Sequence, residues 1–587
     1  MKNKLILAVT LLIASTGIFA QNDAKKAQER YFEINKNIEI FNSLLRELDL
    51  FYVDSLDVKK TVKTGIVSML NSLDPYTEYY DEEELKEFKT MTTGEYAGVG
   101  STIVHKDSMV VFSEPFEGKP AAKAGIKAGD IILEIDGVDM TKTAKKEGEP
   151  YAQTLNSFVS ASLKGQPGTT AEVKIQRPGE KKPRVIKITR EKIVMDAVSY
   201  YGMLNSEIGY INLNSFTDKS AAETKEAFLA LKSQGMKSLI FDLRGNGGGI
   251  LEDAVQIVNM FVPKGKVIVS TKGKLKQWDR TYRTTLEPID TEMPIVVLVD
   301  KGSASASEIV AGSLQDLDRG VLVGERTFGK GLVQSPRELP YGSSFKVTTS
   351  KYYIPSGRCV QAIDYSHRNA DGSVGTIPDS LTTVFKTEKG RLVRDGGGVS
   401  PDVVLPEEKV VTISFYLERQ FIVFDWVSDW VSKHKKIAPA KEFSISDADY
   451  ENFKEFVKSK DFEYDRMSEK SMKSLKEVME FEGYMKTASE EFKALEAKLV
   501  PNLDRDLETF KDEIIEQINA EIAKRYYYQK GSFEVVLKND KGVEKAVEIL
   551  KDSNTYNDLL TVKADEVIGD KKDKDQNTED NNTEDKE

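Results

Sequence analysis

Cysteine is almost absent: the 587 residues contain one, Cys359, so no disulfide can close within the chain. Histidine is nearly as scarce. His105, His367 and His434 lie far apart, which argues against a His/Cys zinc site and leaves few partners for a Ser–His–Asp triad. Basic residues do not dominate: 83 Lys and Arg against 95 Asp and Glu give a formal net charge of -12, which argues against a nucleic-acid binder, since that would need a basic face. No run after the first twenty residues is long and apolar enough to cross a bilayer. Several ready-made signatures also fail. Gly324-x-x-x-x-Gly329-Lys330 is followed by Gly331 where a phosphate loop needs Ser or Thr for Mg²⁺. The run DLRGNGGG, residues 242–249, is not G-x-G-x-x-G, because Ile250 takes the last position. G-x-S-x-G is absent, and the S-x-x-K matches at 343–346 and 432–435 lack the S-D-N and K-T-G that accompany them in penicillin-recognising enzymes.

What is present divides the chain into modules, as its length demands. Two lysines, an apolar run from Leu5 and a small residue at Ala20 read as a secretory signal over 1–20, cleaved before Gln21, and no cysteine follows that could carry a lipid. The mature chain is then expected to be exported, periplasmic or extracellular, with no stable membrane insertion. Residues 21–88 read as helical. Ile34, Ile38, Phe41, Leu45 and Leu48 recur on one helix face, which suits a neighbouring helix or a second copy of the chain. From 89 to 190 glycine punctuates short strands, with an Asp136-Gly137 hairpin signal. From 191 to 405 strands such as SLIFDL, PIVVLV and VLV alternate with helices, the pattern of an α/β layer. Residues 406–564 are helical and charged, with an apolar stripe Leu503, Leu507, Phe510, Ile514, Ile518. The tail, 565–587, carries ten acidic residues against four lysines and is expected to be disordered.

Three stretches can carry chemistry. In GSASASE, 302–308, between a buried strand and a helix, Ser305-Ala306-Ser307-Glu308 fits a capping box. Three alternating serines exceed what one cap needs, and a hydroxyl there would meet the positive end of the helix dipole. A serine nucleophile needs a base. The candidate is Lys330, flanked by Gly329 and Gly331, which let backbone pack close and shut water away from the amine. A free lysine titrates at about 10.4, and desolvation of roughly 4–5 kcal/mol would bring it to neutrality. Gln334 stands four residues on, on the same face of an extended segment, where a neutral amide can orient an amine without favouring its charge. The third stretch, DLRGNGGG, is either a tight glycine turn or a run of N–H groups suited to an oxyanion.

Together, FDLRGNGGG, GSASASEIVAGSLQD, VGERTFGKGLVQ, YYIPSGR and SLDPYTEYY resemble the C-terminal processing peptidases, also called tail-specific proteases, over roughly residues 30–405. The resemblance implies an α/β multidomain protein: a mixed α/β peptidase core over 191–405, an inserted PDZ domain over 89–190, a helical N-terminal region and a helical C-terminal extension. It implies that Ser305 is the nucleophile, Lys330 the general base and Gln334 its orienting partner. The oxyanion hole would be formed by the amides of Ala306 and Gly248. Gly98, Val99, Gly100 and Ser101 would hold a substrate's terminal carboxylate, and Asp316 is expected to be structural. The expected substrates are polypeptides with apolar C-termini, with no metal, cofactor or nucleic acid involved. The alternatives are an inactive PDZ adaptor and an ester hydrolase on the same dyad. The extension after about 410 maps onto no pattern of this family, and nothing functional transfers to it.

Overall fold

This computed structural model describes residues 2–82, 84–85, 94–143, 150–369, 373–407, 412–499 and 502–561, with side chains from Lys25 onward. The expected signal over 1–20 precedes those side chains, and the acidic tail and the join near 89 lie outside the described residues. Two units partition the chain: residues 1–81 with 336–347, and 82–335 with the residues from 348 on. Among the described residues no helix is long and apolar enough to cross a membrane.

In the first unit, helix α1 (Lys2–Phe51) is followed by α2 (Val58–Asn71), whose start is capped by Asp57 accepting the Lys60 N–H. The turn in SLDPYTEYY is closed by Asp74, which takes the N–H groups of Tyr76 and Thr77 at 2.8 Å and the Thr77 hydroxyl at 3.0 Å. Strand β1 (Glu78–Tyr80) then pairs antiparallel with Ser344–Lys346. The apolar face of α1 is bare within this unit: Ile34, Ile38 and Phe41 are exposed.

The second unit opens with β2 (Glu95–Gly98), β3 (Ser101–Lys106), β4 (Met109–Pro115) and β5 (Ile131–Ile135). Helix α3 (Tyr151–Leu163) and strands β6 (Thr170–Gln176) and β7 (Arg184–Thr189) complete the segment, and β8 (Glu191–Val194) pairs back with β2. The sheet order is β3-β4-β5-β6-β7, so β3 is an edge strand, with α3 packed beside it. The Asp136-Gly137 hairpin forms as expected, both residues turning with positive φ, 51° and 80°. Val110, Phe112, Ile132, Leu155 and Val159 make this segment's own core.

The α/β layer is a six-stranded sheet in the order β9 (Val198–Met203), β10 (Ile208–Leu213), β11 (Ser238–Asp242), β12 (Ile295–Val299), β13 (Val321–Gly324) and β16 (Val403–Val404). From β10 onward neighbours run parallel, and β11 and β12 are wholly buried, which is why they read as continuous apolar runs. Helix α4 (Ala306–Asp316) follows β12, while β14 (Leu332–Glu338) and β15 (Ser344–Tyr353) follow β13.

The extension forms its own apolar core around Trp426, Tyr450, Phe453, Ile514 and Ile518, built largely on α5 (Ile422–Lys433) and α6 (Lys511–Val536). The stripe expected from Leu503 to Ile518 is split: one helix covers Leu503–Thr509, and Phe510 (φ −109°, ψ 22°) separates it from α6. Two further contacts tie the extension to the rest of its unit. The β3–β4 hairpin and the loop before β5 meet α5, with Lys106 Nζ 3.1 Å from Asp425 and Gly129 against Ser428. Helices α7 (Lys541–Lys551) and α8 (Ser553–Leu559) lay Val543, Ala546, Ile549 and Tyr556 against Ile240, Val296, Leu298 and Val323 of the parallel sheet.

Candidate active site

Strand β12 ends at the loop 300–305, and all three serines of that loop and helix start have distinct surroundings. Ser303 is fully buried and donates to Leu243 O at 2.8 Å, while Ser307, also fully buried, donates to Asn246 O at 2.8 Å. Both hold the loop around Ser305 to the glycine run. Ser305, between them, is half-buried and sits at the start of α4 with positive φ, 56°, a conformation a non-glycine residue adopts only when its surroundings impose it. One such constraint is Tyr352, whose hydroxyl donates to Ser305 O at 3.1 Å. Tyr352 is buried, and burial holds its hydroxyl well above the ordinary phenol range.

The capping box forms, and its Glu308 reaches further than the helix. Oε2 of Glu308 accepts the Ser305 N–H at 2.9 Å and the Lys330 N–H at 2.8 Å. Oε1 accepts the Gly329 N–H at 2.8 Å and the Thr327 hydroxyl at 2.6 Å. Two nitrogens bonded to one oxygen cannot be more than about 6 Å apart, so this carboxylate draws the backbones of Ser305 and Lys330 together. Burial raises the pKa of Glu308, against the lowering effect of its four donors.

The lysine loop is confined by contact. A methyl group on Gly329 would lie 2.4 Å from Ala362 Cβ, and one on Gly331 would lie 2.8 Å from the Gln361 nitrogen. Ala362 N–H donates to Gly329 O and Tyr352 N–H to Gly331 O, both at 2.9 Å, and Gln361 Oε1 takes the Gly331 N–H at 2.8 Å. Lys330 between them is half-buried. Gln334, on β14, is half-buried and donates to Thr348 Oγ1 at 3.2 Å.

Across from Ser305 lies the glycine run. A Cβ on Gly248 would meet Ala304 O at 2.7 Å, Ser305 Cβ at 2.8 Å and the Ala306 nitrogen at 2.9 Å. Gly248 and Ala306 thus flank Ser305. The Gly248 N–H donates to Asn246 Oδ1 at 2.9 Å, and the buried Asn246 is oriented by its own bond to Leu213 O at 2.8 Å. The Ala306 N–H donates to no group among the described residues. Asp316, at the far end of α4, is buried and paired with Arg358 at 2.8 Å and the Ser356 N–H at 3.0 Å, a structural tie to the YYIPSGR turn. The pattern of residues pointed to none of Asn246, Tyr352 or the wider reach of Glu308, although S-x-x-E marked Glu308 itself.

At the edge strand, Val99 O accepts the Ala121 N–H at 2.8 Å and Gly100 O the Phe116 N–H at 3.0 Å, which fixes the turn before β3. Gly100 has φ 71° and no room for a side chain, since a Cβ would lie 2.5 Å from Lys119 Cβ. Gly98 packs against the Tyr96 ring, and the Ser101 hydroxyl donates to Glu114 O at 2.8 Å.

Three family models match the chain: "Peptidase family S41" over residues 207–368, "PDZ domain" over 97–188, and "Probable PDZ-protease, C-terminal helical domain" over 413–550. A carboxy-terminal-processing protease of Bartonella bacilliformis is 35% identical over 361 residues, 61% of this chain and 79% of that protein. A "Probable CtpA-like serine protease" of Staphylococcus aureus is 33% identical over 326 residues, 55% of this chain and 62% of its own length. Among solved structures, the photosystem II D1 C-terminal processing protease is 29% identical, covers 62% of this chain and 92% of its own, and superposes with a TM-score of 0.33.

Proposed function

From its membership of peptidase family S41, the C-terminal processing serine peptidases with a PDZ domain, we propose that this chain cuts polypeptides with a Ser305–Lys330 dyad after capturing their apolar C-termini. The observation that carries the dyad is the Glu308 carboxylate, one oxygen of which holds the backbone amides of both residues. Neutral Lys330 takes the proton from the Ser305 hydroxyl as the oxygen attacks a peptide carbonyl. Gln334 orients the amine. The oxyanion rests on the Ala306 N–H and, as a stronger acceptor than an amide oxygen, displaces Asn246 Oδ1 from the Gly248 N–H. Collapse returns the proton from Lys330 to the leaving amine, and water, deprotonated by the same lysine, releases the acyl group from Ser305.

The substrate's C-terminus adds to the free edge of β3, antiparallel, with its carboxylate at the amides of Gly98, Val99, Gly100 and Ser101. The apolar run over 5–20 supports export, so the substrates are proteins of the periplasm or cell exterior. The bare face of α1, with Ile34, Ile38 and Phe41, supports a homodimer through the N-terminal helices.

The test is degradation of an unstructured polypeptide with an apolar C-terminus. Ser305→Ala and Lys330→Ala are each expected to reduce turnover by at least a thousand-fold with unchanged far-UV circular dichroism. Full activity in Lys330→Ala would refute the dyad.

A further inference from the structure

The glycine run begins with a side chain gripped from the far end of the chain. Arg244 lies two residues beyond the end of β11, and its guanidinium lies between two carboxylates. Asp242 takes Nε at 3.0 Å and Nη2 at 2.5 Å; Asp540 takes Nη1 at 3.0 Å and Nη2 at 2.8 Å. Asp540 caps α7 by accepting the Val543 N–H at 2.9 Å, and Gly542 sits against Arg244, its missing Cβ 3.1 Å from Nη1. The three charged side chains are largely withdrawn from water, with Arg244 28%, Asp242 3% and Asp540 13% exposed. Burial works against the charge on Arg244, and the carboxylates overcome it, holding the guanidinium above its ordinary pKa.

The asymmetry of the two sides gives the contact its direction. Helix α7 has an apolar face of Val543, Ala546 and Ile549 buried on the parallel sheet, so it docks without the ion pair. The loop Gly245-Asn246-Gly247-Gly248-Gly249 has no apolar side chain to anchor it, and glycine-rich backbone is the costliest to immobilise. Its other fixings among the described residues come from within the peptidase core, among them Gly245 N–H to Asp300, Asn246 to Leu213, the Ser307 hydroxyl to Asn246 O, and a bridge from Gly249 to Phe216. Arg244 alone among these ties reaches the extension.

We infer that Asp540 is a positioning residue for the oxyanion-binding loop, acting through Arg244, so that the C-terminal extension completes the active site. The inference rests on the proposed role of the glycine run beside Ser305. Asp540 sets the entry angle of the loop, and with it the distance from the Gly248 amide to an oxyanion formed at Ser305.

Asp540→Asn tests this, because asparagine keeps the α7 cap while removing the charge and the paired acceptors. The readouts are the rate of fluorophosphonate labelling of Ser305, which needs the oxyanion loop but no substrate groove, and kcat and KM on an unstructured polypeptide. Labelling and kcat are expected to fall roughly ten- to a hundred-fold with KM within about two-fold, and Asp540→Glu to recover most of the loss. Ile549→Ala, on the buried face of the same helix, is the control: it lowers Tm at least as much and leaves labelling within about two-fold of wild type. Wild-type labelling in Asp540→Asn, or equal slowing in Ile549→Ala, overturns the inference. Absence of label from Ser305 in the wild-type enzyme would instead overturn the reading of the site itself.

Discussion

At Gly331 a single methyl group would strike the Gln361 backbone nitrogen, and Gln361 cannot yield because its side chain also holds the Gly331 N–H. Gly331→Ala is therefore expected to cost about 1–3 kcal/mol of stability and to lower kcat more than it raises KM, as chemical denaturation with steady-state kinetics will report. Glu308 makes a second prediction. Its pKa is raised in the fold, so its contribution to stability is full below the ordinary 4.5 and is lost as pH rises through the raised value. Glu308→Gln lacks that titration, so the stability advantage of wild type over the variant should narrow as pH rises from 4.5; a constant difference across the series would contradict it. Ser305 to Glu308 was legible as a helix start, because a capping box is a local pattern. The grip of Glu308 on residues 327–330, like the bond from Tyr352 to Ser305, depends on which strands lie side by side, and no spacing in the sequence carries that.

Among the elements, the edge strand β3 and the turn before it carry the proposed capture of a substrate's C-terminus. If the amides of residues 98–101 hold a terminal carboxylate, amidating the substrate's C-terminus should raise KM about ten-fold or more and leave kcat nearly unchanged. Gly100→Ala, strained by its positive φ and by Lys119, should raise KM for the free acid similarly and become indifferent to amidation. Retained discrimination in that variant would place the carboxylate elsewhere. The parallel strands and the Asp136-Gly137 hairpin could be read from composition alone, since buried strands are continuously apolar and the hairpin needs positive φ at both positions. The break at Phe510 could not, because an apolar stripe of three and four spacing is the same for one helix as for two in succession.

For the whole molecule, the N-terminal helices bear on assembly. Sedimentation equilibrium of the mature chain is expected to give a dimer, and Ile38→Glu with Phe41→Glu a monomer with Ser305 still reactive; a monomeric wild type would remove the second copy from the reading. The extension was legible as helical and charged but not as a partner of the site, since Asp540 and Arg244 are brought together only by the docking of α7 on the sheet.

That distance along the chain also sets an order of events. Residues 238–249 leave the ribosome almost three hundred residues ahead of Asp540. A nascent or truncated chain can complete its sheet and expose Ser305 while Arg244 still has Asp242 as its sole carboxylate. On the inference above, a fragment that ends before Asp540 lacks the second carboxylate on Arg244, and it is expected to be a weaker protease than the full chain.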